Sequence, residues 1–457
     1  MKSLKLLLRF LTVGGLVLLL LIPLMMIRGT IQDRQRFRAQ AVERVSQSMA
    51  GPQQVVGPLR VVPWKERRQV TETDAAGKPV LRVQEVEGYV FQTPKDLHAS
   101  GGMVPDTRRI GLYSVRTFEW KAHLEAGFDP LALETVPGRE YGEPYLVLGL
   151  ADVRGLVGQP DLKVDNQSLA MESGTRAMAE RLGGVHANLP HAAGAALPAS
   201  RVLANFRLSG TQSLGIAPVA DNNRITLGSS WPHPLFAGRF LPSKRTIGDS
   251  GFSAEWEISA MASAAQSQLA KGEGLLTRVG RGQPASYESD EDLAASAIDS
   301  IQVSLVDPVD VYTQADRASK YGILFVILTF VGFGLFELIK RLPIHPLQYL
   351  LVGLALAIFF LLLLSLSEHI AFWKAYLVSA GACIGLQFVY LSGVLRSWAR
   401  AAGFAAMLTA LYGVLYSLLV SEDNALLMGS LLLFGILAAI MWITRKVDWY
   451  ELGSSLR

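Results

Sequence analysis

The sequence predicts a membrane protein in three parts. These are an N-terminal signal-anchor helix, a large, mostly-β, sandwich-like extracytoplasmic domain, and a C-terminal bundle of five transmembrane helices. Three observations predict it. Half of the 457 residues are hydrophobic and only 18% are charged, against about 25% charged in an ordinary soluble domain. Six apolar segments approach the roughly 20 residues that span a bilayer. Between the first and second of them lies a long polar stretch with period-two alternation.

The first segment, Phe10–Ile27, follows Lys2, Lys5 and Arg9 and contains Pro23. Arg28, Gly29 and Thr30 come next in place of a small-residue cleavage site, so residues 1–27 read as an uncleaved signal anchor. A cleaved signal peptide is the alternative. Phe37, Ala41, Val45 and Met49 recur every fourth residue, which predicts a stalk helix over about residues 31–49. Its arginines would also suit an interfacial helix touching lipid phosphates, but a plain connecting helix is the simpler reading.

Residues 28–320 are expected to form one β-rich domain. Phe118, Trp120, Ala122 and Leu124 alternate with polar residues, as do Val202, Ala204, Phe206 and Leu208, and Phe252, Ala254, Trp256 and Ile258. Such alternation marks strands with one face buried and one wet. Ile301, Val303 and Leu305 make a further short run. His186–Ser200, rich in Ala, Pro and Gly, and the polar Ser267–Asp292 read as irregular insertions. Acidic and basic residues are nearly balanced across 28–320, so the chain's net charge of +4 is no nucleic-acid footprint.

Residues 321–457 hold the five C-terminal spans: Tyr321–Ile339, Leu347–Leu366, Ala371–Leu391, Ala401–Val420 and Ala425–Ile443. Lys340 and Arg341, then Arg396 and Arg400, then Arg445 and Lys446 mark alternate ends. Glu368, Glu422 and Asp423 mark the others. Basic loops stay in the cytoplasm. Both termini are therefore expected inside and residues 28–320 outside. Arg28, Arg34, Arg36 and Arg38 beyond the first span oppose that orientation, but the three later basic clusters outvote them. Gly381 and Gly385, four apart, would let helices approach closely.

Chemistry is sparse. The sequence has no Walker A pattern, Gly-x-Ser-x-Gly elbow, Ser-x-x-Lys pair or His-Glu-x-x-His. Its one cysteine, Cys383, lies in an apolar run, so no intramolecular disulfide forms. His186 and His191 flank Pro190 at a spacing that suits no metal site. No catalytic residue, cofactor or metal is therefore expected. Gln387 is the strongly polar side chain nearest a helix centre, and the lack of mid-membrane charge weighs against a pump. The densest unusual stretch is Trp231, Pro232, His233 and Pro234, followed by Phe236, Gly238, Phe240, Leu241 and Pro242. Two prolines around His233 stiffen the backbone. Trp231, Phe236 and Phe240 could then anchor a partner. A rigid loop capping the β core is the plainer alternative.

Several short motifs carry a family resemblance. Asp307-Pro308-Val309-Asp310 leads through Tyr312, Arg317, Lys320 and Tyr321 into a span. Leu364 to His369 closes the next, and Glu422-Asp423 precedes Gly429-Ser430-Leu431. Thr444-Arg445-Lys446-Val447-Asp448-Trp449-Tyr450 ends the chain. Together with Trp231-Pro232-His233-Pro234, these resemble the CreD family of bacterial inner-membrane proteins. The resemblance implies a multi-pass protein of the Gram-negative inner membrane with a periplasmic domain. It further implies membership of the CreBC regulon and a role in envelope integrity, with colicin tolerance and β-lactam response among the associated phenotypes. No catalytic residues come with it. The expected partners are the lipid bilayer and envelope proteins or peptidoglycan, with no nucleic acid. Oligomeric state is left open. Two rivals stand beside a non-enzymatic envelope protein: a lipid-handling or transport protein, and a membrane-anchored hydrolase.

Overall fold

The computed structural model describes residues 2–73, 79–272, 298–306, 311–340, 345–420 and 425–445. The chain divides into two compact units, Ala39–Pro308 on one hand and Met1–Arg38 with Val309–Arg457 on the other. The expected Glu422-Asp423 loop, the tail beyond Arg445 and the Asp307–Asp310 motif lie outside the described residues, as do 273–292 of the polar insertion.

Anchor and stalk are one helix, Lys2–Ser48, with Pro23 inside it; its last turns, from Ala39, belong to the β unit. Its 47 residues reach about 70 Å at 1.5 Å per residue, more than twice a hydrocarbon core of about 30 Å. Leu20, Leu24, Ile27 and Ile31 form its buried stripe, spaced three or four apart as one helix face requires. Five further helices follow among the described residues: Val311–Lys340, Pro346–Ser367, Phe372–Val394, Trp398–Val420 and Ala425–Thr444. The first starts ten residues ahead of its apolar stretch. Five helices in all, the N-terminal one and the first four of these, are long and apolar enough to cross a membrane. Ala425–Thr444 is a sixth apolar helix of 20 residues.

The helices Val311–Lys340, Pro346–Ser367, Phe372–Val394 and Trp398–Val420 pack each on the next, and the last returns to the first. The result is a four-helix ring with an aromatic interior. Phe325, Phe359, Tyr376 and Tyr412 stack on one another, as do Phe333, Tyr349 and Phe404. Ala425–Thr444 packs on Trp398–Val420 and leaves Leu431, Phe434, Leu437 and Met441 exposed, as lipid contact demands. Gly381 and Gly385 do not mediate close packing. Both face outward with nothing near their Cβ positions, because the polar residues of that helix occupy its inner face. Close approach occurs instead at Gly353, where a Cβ would lie 2.1 Å from Leu20 Cδ1 and 3.1 Å from Phe330 Cζ.

The β unit has 17 described strands. In chain order the first nine are β1 Gln53–Thr73, β2 Pro79–Gln92, β3 Asp96–Ile110, β4 Tyr113–Phe128, β5 Arg139–Tyr141, β6 Tyr145–Leu150, β7 Leu156–Val164, β8 Gln167–Leu169 and β9 Glu172–Ser173. Then come β10 Gly184–Asn188, β11 Ser200–Thr211, β12 Ser213–Ile216, β13 Asn222–Ser229, β14 Pro234–Gly238, β15 Lys244–Gly248, β16 Gly251–Ser259 and β17 Ile301–Leu305. One sheet runs β14-β17-β12-β1-β6-β10-β9, with β2 and β5 also on β1. The other runs β15-β16-β13-β3-β4-β11-β7-β8. Pairing is antiparallel except for β1 with β12 and β3 with β13.

The two sheets close on one core. Phe118, Trp120 and Leu124 of β4, Val202 and Leu208 of β11, and Phe252 and Trp256 of β16 meet Leu146, Leu148 and Leu150 of β6. The alternation that predicted β4, β11 and β16 matches their buried faces. The first sheet has no wet face at its centre. Its other side, Val56, Leu59, Val61, Tyr145 and Val147, is covered by Met178, Leu182, Ala265, Leu269 and Ile298. The irregular segment expected at His186–Ser200 begins as strand, since His186–Asn188 completes β10 against β6. Its far end is pinned by a bridge between Leu197 and Leu131. Ser267–Lys271 lies in a short helix, Ala265–Lys271.

Helix contact at Gly353 gives a direct test. Gly353→Val overpacks Leu20 and Phe330 and should cost about 1–3 kcal/mol. The thermal unfolding midpoint of the full chain in detergent would read this as a fall, while Gly381→Val should leave it unchanged.

Candidate functional site

The densest polar network ties the end of the long helix to the β unit. A helix leaves its last four carbonyls without intrahelical donors. The last turn here carries no basic residue of its own. Arg154 supplies the cation from the far side of the sequence: its Nη1 donates to Gln47 O at 2.6 Å and its Nη2 to Ser46 O at 3.2 Å. A guanidinium at a helix C-terminus also matches the macrodipole. Asp152 holds that guanidinium in turn, at 2.6 Å from Nη2 and 2.9 Å from Nε.

Sequence and local geometry explain why Arg154 points there. Asp152 caps the one-turn 3₁₀ helix Val153–Gly155 by accepting from Arg154 N at 3.1 Å. Its other oxygen accepts from Gly51 N at 3.2 Å. Gly155 lies flat against β11, where a Cβ would fall 2.3 Å from Ser209 O and 2.4 Å from Gln53 Nε2. Gln53 Nε2 donates to Asp152 O and Ser209 O, both at 3.0 Å. Ser46 Oγ lies 2.9 Å from Thr211 Oγ1. Beneath this network Ala41 and Val45 pack on Val115. Burial pushes the Asp152 carboxyl up, but the Arg154 and Gly51 hydrogen bonds outweigh it and leave the carboxyl below its ordinary range.

The proline-bracketed stretch chosen from sequence sits at the edge of the sandwich. Pro234 and Phe236 lie on edge strand β14, paired with β17. Trp231, Phe236 and Phe240 are half-buried and packed on the core. Phe236 meets Phe252 and Trp256 edge-on, at 5.7 and 5.8 Å between centroids. Trp231 Nε1 donates to Val306 O at 2.9 Å, and the Arg116 guanidinium stacks 3.8 Å above its ring. Trp256 Nε1 donates to Phe240 O at 3.1 Å. Pro232 is half-buried and His233 exposed. Leu235 and Leu241 are the strongly exposed apolar members, at 53% and 69%. The stretch is brought together as one patch, with its aromatic rings turned inward and His233, Leu235 and Leu241 outward.

Among the described residues the other sequence candidates differ: His186 is partnered, whereas His191 Nδ1 and Gln387 are not. His186 is buried; Arg176 Nε donates to its Nε2 at 2.7 Å, and its Nδ1 lies 2.8 Å from Gly174 O. Among the described residues no three His, Cys, Asp or Glu side chains group as metal ligands. Glu66 is held below its ordinary range by hydrogen bonds from Arg68 and Arg139. Within the helical unit Arg34 pairs with Glu368 at 3.2 Å, and Arg28 with Asp316 at 3.9 Å. Inside the ring, Tyr376, Ser379, Cys383 and Gln387 line one buried face of their helix. Tyr376 OH donates to Tyr412 O at 2.6 Å and Cys383 Sγ to Ala355 O at 3.2 Å. Thr329 Oγ1, Ser379 Oγ and both amide atoms of Gln387 have no hydrogen-bond partner among the described residues.

The clamp was not visible in sequence, because Asp152 and Arg154 lie about a hundred residues from the helix end they hold. Asp152→Asn removes the ionic partner and should cost about 1–3 kcal/mol at neutral pH. A carboxyl held low when folded contributes stability above its unfolded pKa of about 3.9 and loses it as pH falls through the folded value. Thermal unfolding of the full chain across pH should therefore show a wild-type advantage at pH 7 that shrinks below about pH 4. An advantage that stays constant down to the acid limit would remove Asp152 from that role.

Comparisons with known proteins agree with this architecture. The family profile described as "Inner membrane protein CreD" matches residues 5–450. The chain is 36% identical over 439 residues to "Inner membrane protein CreD" of Escherichia coli strain K12, covering 95% of this chain and 92% of that one. Among solved structures, an M1 zinc metallopeptidase from Deinococcus radiodurans overlaps 36% of this chain and 38% of its own, at 10% identity and a TM-score of 0.20. A likeness that slight has no bearing on fold or activity. Near-complete coverage by the family profile, together with the anchor helix, β unit and apolar helices that structure displays, makes this chain a member of the CreD family of inner membrane proteins.

Proposed function

We propose that this chain is a non-enzymatic protein that maintains the integrity of the cell envelope. Its β unit is periplasmic and binds an envelope protein, peptidoglycan or a small ligand, and both termini are cytoplasmic. One observation carries the reading: within the β unit, the Arg154–Asp152 clamp holds the C-terminal end of the long helix at Ser46 and Gln47. A catalytic domain on a passive tether has no need of a charge-assisted contact to the tether's last carbonyls. A binding domain that holds or reports on something at the membrane does.

The orientation draws support from the ion pairs of the helical unit. Arg28 and Arg34 are two of the four arginines, with Arg36 and Arg38, that argued for the opposite topology. Both are spent on Asp316 and Glu368. Those acids lie at the start of Val311–Lys340 and just past the end of Pro346–Ser367, so the pairs gather two helix ends beside the middle of the long helix. The three basic clusters at the opposite ends outnumber this single one. The partner surface we assign is Trp231, Pro232, His233, Pro234, Phe236 and Phe240, in which the buried rings fix the shape and His233, with Leu235 and Leu241 beside it, makes the contact.

The test is uptake of a normally excluded dye by a deletion strain. We expect leakage in the deletion, full restoration by the intact chain, and partial restoration at most by His233→Ala combined with Leu241→Ser. Full complementation by that double variant would retire the assigned surface. An intact barrier in the deletion strain would retire the envelope role itself.

A second reading, lipid handling or small-molecule transport, is favoured by the buried and unpaired carboxamide of Gln387. An unpaired polar group costs free energy in an apolar interior. Gln387→Leu should therefore raise the thermal midpoint. If it also restores the barrier as well as wild type does, the bundle needs no polar interior and the transport reading fails.

A further inference from the structure

The outer face of the second sheet is a lattice of compensated charge, with one exception. Arg224 pairs with Glu257 at 2.9 Å, Lys244 with Glu255 at 3.4 Å and Lys163 with Asp161 at 3.7 Å, and Arg201 meets Glu125. Lys121 makes no ion pair among the described residues. Its direct neighbour across the ladder is another cation, Arg207. Like charges in opposed cross-strand positions repel. The nearest relief is Glu119, 3.7 Å from Arg207 Nη1.

That cationic pair lies in an open cleft of about 480 Å³ lined by Lys121, His123, Gly158, Gln159, Asn205 and Arg207, with no carboxylate in its lining. The backbone makes the space. On one flank β7 slips register against β11 between Asn205 and Arg207, and Gly158, which lines the cleft, takes a φ of +74° there. Only glycine adopts that conformation readily. Such bulges often re-aim side chains at binding sites. His123 Nδ1 lies 2.6 Å from Asn205 Oδ1. Asn205 lines the cleft, so its amide hydrogens are available to a ligand there.

We propose that this cleft binds the phosphate group of a phosphate ester. Lys121 and Arg207 supply the countercharge, and the Asn205 and Gln159 amides supply neutral donors. A dianion between the two cations turns a repulsive pair into two charge-assisted hydrogen bonds. The inference deepens the reading of the β unit as a binding domain, since it names the ligand's chemistry. The ester is carried by a soluble glycan or by a lipid headgroup.

The experiment uses the full chain in detergent and measures saturable binding and thermal shift with inorganic phosphate and with glucose 6-phosphate. A separate arm measures retention of the full chain in nanodiscs by phosphatidylcholine vesicles with and without phosphatidic acid. Both phosphate probes should bind and raise the unfolding midpoint. Lys121→Ala and Arg207→Ala should each weaken binding about tenfold or more. Lys163→Ala, a paired lysine on the same face, should leave it unchanged. Without phosphate, Lys121→Gln should hold or raise the midpoint, because it removes a repulsion. A lysine that merely supports the fold would lower it. Tighter binding of the sugar phosphate than of inorganic phosphate assigns the glycan source, and selective retention by phosphatidic acid vesicles assigns the lipid. Absence of saturable binding to any probe, or binding indifferent to Lys121→Ala, overturns the proposal. Absent phosphate binding alongside intact complementation retires this cleft alone, whereas phosphate binding with no barrier phenotype retires only the envelope role.

Discussion

A helix that leaves a membrane arrives with unpaired carbonyls, and something must meet them. In this chain it is Arg154, fixed by Asp152, which is itself fixed by Gly51 N and by its own 3₁₀ turn. The remaining contacts of the β unit's entry follow from that contact. Gln53 can satisfy both Asp152 and Ser209 only because Gly155 lets the turn lie flat on β11. Thr211, the last residue of β11, then reaches Ser46 on the helix. A loss at Asp152 would release a helix end, a turn and the start of β1 together, which is how a network differs from a sum of pairs.

Both sheets obey the same solvent logic with opposite outcomes. The second sheet faces water on one side, so its outward residues can be charged, and almost all of them are paired. The first is covered on both sides, by the shared core and by the Met178–Leu182 and Ala265–Lys271 segments. Charge has no place at its centre except where hydrogen bonds meet it. Arg60 shows the cost. It is buried on β1, donates to Asp129 O, Pro198 O and Gln92 Oε1, and also reaches Ser200, and desolvation still lowers its affinity for the proton. Functional asymmetry follows from this difference. A ligand site for an ionic group can form on the wet face with little penalty, whereas the first sheet is committed to holding the fold.

Legibility in the sequence followed that same division. Strands β4, β11 and β16 were readable because each has one dry and one wet face, which writes period two into the residues. Strand β6, Tyr145–Leu150, is buried at every position, so its pattern is a plain apolar run that fits helix or strand. The five C-terminal helices were readable from length and hydropathy, since lipid forces both. The glycines misled. Spacing of four at Gly381 and Gly385 promised a packing face, but Tyr376, Ser379, Cys383 and Gln387 on the same helix had a stronger claim to the interior. Polar atoms in contact with hydrocarbon cost more than lost close packing gains. Trp231, Phe236 and Phe240 were readable as a group but not in direction, because a ring that anchors a partner and one that seals an edge have the same sequence signature.

Neither the clamp nor the cleft was legible, and for one reason. Each is a product of register. Asp152 meets Gly51 because β1 and β6 pair with Val55 opposite Leu150, which brings the segments before and after those strands to the same end of the sheet. Lys121 meets Arg207 because β4 and β11 pair without a slip through twelve residues. Shifting that register by one residue would turn Phe206 and Leu208 outward and bury Arg207. The core therefore forbids any relief of the Lys121–Arg207 repulsion by sliding the strands. Glu119 meets Arg207 from one side, which leaves Lys121 to substitution or an anion. A repulsive pair that the hydrophobic core itself holds in place, beside an open cleft with no carboxylate in its lining, is a physical reason to look there for a ligand.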